Sequence, residues 1–196
     1  MSAERSRSDP PRRARARGAR AGTVSRVAAF LRDRALTDDD RRRIDLRPGD
    51  RVLVAAALTD GRRVAASRLA LYVLSDGTVA RTPWADVDRG SLDAATRTLT
   101  VRWVWGGSDR FTFHDDRGSA RFAQTFRERV QASVVHATTV ALPAGGQARV
   151  ALRRDEDGEL FTQVVADEGV DLADPEVTAA VDRAEDALRA SAGLRD

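Results

Sequence analysis

Residues 98–114 read Thr-Leu-Thr-Val-Arg-Trp-Val-Trp-Gly-Gly-Ser-Asp-Arg-Phe-Thr-Phe-His. Leu99, Val101, Trp103 and Trp105 alternate with Thr98, Thr100, Arg102 and Val104, which is the period of a half-buried strand. Gly106-Gly107-Ser108-Asp109 turns the chain, and Phe111 and Phe113 resume the alternation. The spacing predicts a hairpin. With a loop of the three residues 107–109, Trp105 stands opposite Phe111 and Trp103 opposite Phe113. Both Trp side chains then lie inside the fold, in an aromatic ladder worth roughly 0.2–1 kcal/mol per pair beyond burial.

Upstream of this hairpin, short apolar runs alternate with turn signals. Runs at 52–58, 64–67, 69–74, 79–84 and 87–92 are separated by Asp60-Gly61, Arg68, Asp76-Gly77 and the segment after Pro83. Each is strand-length, and the Asp-Gly pairs favour hairpins. Pro83 marks a strand end. Downstream, Ser119 is a candidate cap, and Phe122, Phe126, Val130 and Val134 recur at helical spacing over 119–135. The block from 46 to 136 therefore reads as seven antiparallel strands closed by one helix.

The flanks read differently. Residues 1–22 are Arg, Ala, Ser, Pro and Gly without apolar periodicity, a disordered arm. Residues 23–45 are a helical segment: Val24, Val27, Ala28, Leu31 and Ala35 share one stripe, and Thr37-Asp38-Asp39-Asp40 caps a short second turn. Residues 137–196 predict strands at 138–142, 147–152 and 160–166, then a helix from Asp174-Pro175 with Val177, Ala180, Val181, Ala184 and Leu188 buried. One Phe in that stretch is too little for an independent core, so it is expected to dock on the preceding block. The fold class is α+β, mostly β.

Composition limits the function. The 196 residues contain no Lys, Asn or Cys and a single Ile, Ile44. This resembles the amino-acid usage of a very GC-rich genome, so part of the Arg richness reflects codon bias. Missing Cys excludes disulfides, thiolate metal sites and Cys nucleophiles. Residues 1–20 carry seven Arg against Glu4 and Asp9, whereas residues 155–196 carry thirteen acids against three Arg. Opposed charge of this kind is explained most simply by attraction within the fold. No apolar run spans a bilayer. Arg12-Arg13 is followed by more Arg and Ala rather than an apolar core, so it is not read as an export signal, and a cytoplasmic location is expected.

Residues 64–74 (Val-Ala-Ala-Ser-Arg-Leu-Ala-Leu-Tyr-Val-Leu), Asp76-Gly77 and Arg81-Thr82-Pro83-Trp84-Ala85-Asp86-Val87 resemble bacterial PH-like and GRAM-like domains. There a hairpin strand precedes a Pro-Trp segment of the same form. The resemblance covers about 50–135 and implies a seven-stranded antiparallel barrel with a capping helix. It implies binding rather than catalysis.

No catalytic, cofactor-binding or metal site is expected. G-x-S-x-G, P-loop and G-x-G-x-x-G motifs are absent. His114 and His136 lack a partner at ligand spacing, and the acidic run at 155–158 fails the calcium-loop pattern. The expected function is non-enzymatic binding of a protein or peptide, at a membrane surface in one version. Trp84 is expected in the core, its N–H on a carbonyl. Two alternatives remain. The resemblance places anionic-lipid or phosphate binding at the first hairpin, where Arg62 and Arg63 stand. The arm residues Arg12, Arg13, Arg15, Arg17 and Arg20 offer salt-sensitive contacts to nucleic acid.

Overall fold

The computed structural model describes residues 35–143 and 145–194. The arm, with Arg12, Arg13, Arg15, Arg17 and Arg20, and nearly all of the expected helix over 23–36 lie outside the described residues. The described chain is mostly β, with three antiparallel sheets and few helices. It begins with a short helix α1 (Asp38–Arg43). Thr37 caps it and Asp40 bonds back to the Thr37 N–H, a reciprocal capping box.

The first sheet has the order β1 (Val52–Ala57), β2 (Arg63–Ser67), β3 (Ala70–Ser75), β4 (Thr78–Pro83). Strands β1 and β3 read as near-continuous apolar runs because both of their faces are covered. Val54, Ala56, Val64, Ala66 and Leu71 face the main core. Ala55, Ala65, Ala70, Tyr72 and Leu74 pack on the other face against Leu36 and Ile44. Here the segment before β1 has its structural purpose, as a cover for this second face.

The second sheet has the order β5 (Val87–Asp93), β6 (Thr98–Trp103), β7 (Ser108–Thr112). Its inner residues Leu99, Val101, Trp103 and Phe111 close the main core with helix α2 (Arg117–Ser133), which contributes Phe122 and Phe126. Asp116, not Ser119, caps α2; its carboxylate accepts the Ser119 N–H at 2.8 Å. The helix ends at Ser133 rather than 135, because Val134 already opens the next strand.

The expected closed seven-stranded barrel is not formed by strand pairing. Pro83 has no N–H to continue β4, and residues Trp84–Asp86 form a 3-10 turn that carries the chain to the second sheet. The two sheets meet at the far side through one bridge, Leu58 to Phe113, and the Thr59 N–H to the Thr112 carbonyl at 2.9 Å.

The hairpin register also differs from expectation. Leu99 stands opposite Phe111 and Thr98 opposite Thr112, and the Trp103 N–H reaches the Gly107 carbonyl. The loop is therefore residues 104–106, not 107–109. Gly106 and Gly107 have φ of 90° and 76°, which lets the chain reverse three residues earlier. The shift is even in pairing terms, so Trp103, Phe111 and Phe113 keep their inward face. Trp105 does not join them. It sits in the turn, 63% exposed, stacked on Trp103 at 5.4 Å.

The third sheet, order β10 (Leu160–Ala166), β9 (Gln147–Arg154), β8 (Val134–Ala141), is the expected meander, begun four residues earlier than its first expected strand. Helix α3 (Pro175–Ser191) covers one face through Val177, Ala180, Val181 and Leu188 on Ala148 and Val150. Asp174 caps it. The alternate residues of β9 point the other way, toward the first two sheets. Arg153, one of them, is 1% exposed. It donates to the Trp84 carbonyl (3.4 Å), Ser133 Oγ (3.1 Å) and the Asp88 carbonyl (3.4 Å).

Two outcomes are expected. An ideal Cβ on Gly90 of β5 falls 2.3 Å from the Phe126 ring, so Gly90→Ala should cost about 1–3 kcal/mol by overpacking, read from the urea midpoint. Arg153→Ala removes the guanidinium donor to the Ser133 hydroxyl, leaves the Trp84 carbonyl with the Val87 N–H and the Asp88 carbonyl with Arg149 Nη1, and opens a cavity. It should cost about 2–4 kcal/mol by the same measurement.

Candidate functional site

Strand β5 pairs only with β6, so its other edge carries no strand among the described residues. Unpaired edge N–H and C=O groups are a template for another chain. Residues 89–93 along this edge are exposed, and Leu92 is 48% exposed. Beside the edge runs α2. A groove of about 790 Å3 lies between them, floored by Leu92, Leu99, Ala123, Phe126 and Val130. Its depth depends on Gly90: with no side chain there, α2 lies close on the strand while the edge stays clear.

Charge surrounds this apolar floor. Arg89, Arg127 and Arg149 line the groove, and Asp88 is its acid. The Asp88 side chain is 5% exposed and already engaged by Arg149 Nη1 at 3.0 Å and Arg89 Nε at 3.6 Å. The accessible charge of the groove is thus positive.

One end of the groove is built by the third sheet, through Val134 and Arg149. That sheet is held by a polar junction. Glu156 pairs with Arg81, and Arg47 reaches Asp157 at 2.7 Å. Gln163 Nε2 donates to the Ala85 carbonyl at 3.1 Å. Burial, and after it the nearby Arg149, push the Arg153 guanidinium below its ordinary value. Burial, and after it Glu156, push the Asp86 carboxyl above its ordinary value. Tyr72 is likewise raised by burial, while its hydroxyl accepts from Arg81 Nε at 3.2 Å and donates to the Asp45 carbonyl.

The structure does not bring Arg62 and Arg63 together. Arg62 Nε binds Asp60 at 2.8 Å, its Nη2 donates to the Arg110 carbonyl, and the guanidinium lies over Phe111. The Arg62 hydrogen bond holds Asp60 below the ordinary carboxylate value. Arg63 turns instead to Asp40 of α1, at 3.4 Å. Burial pushes Asp40 up, but the Thr37 N–H and hydroxyl, with Arg63 and Arg43, outweigh it and hold the carboxyl low.

Trp84 lies where its composition and position suggested. It is 4% exposed, edge-on to Phe126, with Nε1 donating to the Ser67 carbonyl at 3.1 Å. Among the described residues no cluster of three or more His, Asp or Glu is placed to hold a metal, and no helix is long and apolar enough to cross a membrane.

The groove residues Gly90, Leu92, Arg89 and Arg127 escaped the sequence reading. One signal was present: a Gly inside a strand marks close backbone approach. Comparison with family models, curated proteins and solved structures finds no match.

The junction makes a pH-dependent prediction. A carboxyl titrating higher in the folded chain than in the unfolded one costs stability when ionised. That cost is absent below the ordinary value of about 3.8, grows as pH rises toward the raised value, and is full above it. Asp86→Asn removes it. The variant should show a higher urea midpoint than the natural chain at pH 7, with the difference vanishing by about pH 3.

Proposed function

We propose that this chain is a non-enzymatic binding protein built on a PH-like domain, and that it takes an extended peptide along the free edge of β5. Sheets of four and three antiparallel strands followed by one packed helix, in that order, support the PH-like reading. The observation that carries the function is the groove between β5 and α2. It offers unpaired backbone groups on one wall, an apolar floor and arginines at the rim.

Such a groove suits strand addition. Main-chain hydrogen bonds to β5 supply register, and alternate side chains of the added strand drop toward Leu99, Phe126 and Val130. Five exposed edge residues span about 17 Å. Charge complementarity chooses the occupant: an acidic peptide segment with apolar residues at every second position, its carboxylates meeting Arg89 and Arg127. The helix limits the other side, so a bulky helical ligand is disfavoured.

Selection from a randomised library of unstructured peptides tests this. Enriched peptides should alternate apolar and acidic residues and perturb the amide resonances of residues 88–93 and of α2. Leu92→Glu and Arg127→Glu, both at exposed positions, should each weaken binding about tenfold without lowering the thermal midpoint. Enriched peptides that are basic, or that perturb only resonances elsewhere, would sink the proposal.

A further inference from the structure

A second cavity, of about 560 Å3, opens on the other side of β5, between the second and third sheets. It is within the size range of small-molecule sites. Its walls differ in charge. The sheet wall carries Arg89 of β5 and Arg102 of β6, with Ser108 of β7 beside them. The opposite wall carries Asp167 and Glu168, which follow β10 directly. The Asp88–Arg149 pair joins the two walls, and Trp103, Val165 and Ala166 supply apolar surface.

Arg89 and Arg102 stand directly opposite each other on paired antiparallel strands. Like charges in that position destabilise a sheet. Ser108 continues the same cross-strand row beyond Arg102. Arg89 has partial relief from Asp88 at 3.6 Å. Among the described residues, the side chains of Arg102 and Glu168 have no hydrogen-bond or ion-pair partner. Asp167 accepts the Gln147 N–H at 3.0 Å. The cavity thus holds three arginines and three acids, with a formal excess of one positive charge on the wall of the second sheet (Arg89, Arg102, Asp88) and one negative charge on the opposite wall (Arg149, Asp167, Glu168), and one unmatched side chain on each.

We infer that this cavity binds a small zwitterion, an aminoalkyl phosphate, with phosphate on Arg89 and Arg102 and ammonium toward Asp167 and Glu168. Two guanidinium forks in one row match the several oxygens of a phosphate monoester better than a single carboxylate. The phosphate turns the repulsion between the two arginines into shared attraction. The ammonium matches the acidic wall, which would repel a simple anion. A ligand with both charges fits a site whose formal charge sums to zero, and its carbon chain lies against Trp103.

Calorimetry with O-phosphoethanolamine, ethyl phosphate and ethylamine on the full chain tests the assignment. O-phosphoethanolamine should bind at least about tenfold more tightly than either half-ligand. Arg102→Thr should weaken it about tenfold while raising the thermal midpoint, because the like-charge pair is gone. A merely solvated Arg102 would show the stability gain alone. Glu168→Gln should erase most of the preference over ethyl phosphate, weakening O-phosphoethanolamine while ethyl phosphate binds at least as tightly as before, because a repelling carboxylate is gone. Phosphatidylethanolamine carries a phosphodiester, so vesicles containing it should bind no better than vesicles without it; preferential binding to them would assign the site to a lipid headgroup and overturn the monoester assignment. Equal affinity for ethyl phosphate and O-phosphoethanolamine, indifference to Arg102→Thr, or no heat at millimolar ligand would each overturn the inference.

Discussion

The buried guanidinium of Arg153 ties the molecule together. It reaches the carbonyl of Trp84 in the turn between the first two sheets, the hydroxyl of Ser133 at the end of α2, and the carbonyl of Asp88 at the start of β5. Each of these marks a place where one element stops and another begins. Such ends have carbonyls with acceptor capacity left over, and an arginine from a fourth element adds a donor to each beside the Val87 N–H on Trp84 and Arg149 Nη1 on Asp88. The arrangement is costly in isolation, because a charge is desolvated with only neutral acceptors and Nε lacks a partner. It is tolerated because the same side chain sets the relation of β5, α2 and the third sheet.

That relation creates both cavities. Among the described residues no strand covers the outer edge of β5, and the third sheet approaches without pairing with it. On one side the gap is roofed by α2 and is mostly apolar. On the other side the gap faces β9 and β10 and is polar. Gly90 sets the first gap by admitting Phe126 at a distance no side chain would permit. The Asp88–Arg149 pair separates the two by occupying the end they share, since Asp88, Arg89 and Arg149 line both.

Much of the architecture was legible in the chain. Double-faced burial of the first sheet is written in the unbroken apolar runs of β1 and β3, and the alternation of β6 announces a sheet with one open face. The helices declared their buried stripes, since Val177, Ala180, Val181 and Leu188 are the residues that α3 hides. The register of the hairpin was not legible. Two glycines next to Ser and Asp allow reversal at either of two places, and both choices keep the same residues inward. Local periodicity cannot distinguish them, and only Trp105 changes sides: the alternation puts it in the core, whereas the earlier reversal leaves it in the turn, exposed to solvent. The groove was hidden for a related reason. Arg89, Leu92 and Arg127 are ordinary exposed residues until a strand edge and a helix face are brought side by side.

The sequence by itself determined the order of strands and helices, the side of each that is apolar, and the absence of cysteine chemistry. These depend on local periodicity and composition, which act over a few residues. Tertiary structure alone decided that the first two sheets stay separate and meet through the Leu58–Phe113 bridge instead of closing a barrel. It decided that Arg62 and Arg63 part toward different partners, and that Arg89 and Arg102 confront each other across a pair of strands. Those outcomes are settled by contacts between residues far apart in the chain, where packing at Gly90 and donors from Arg153 outweigh any local preference.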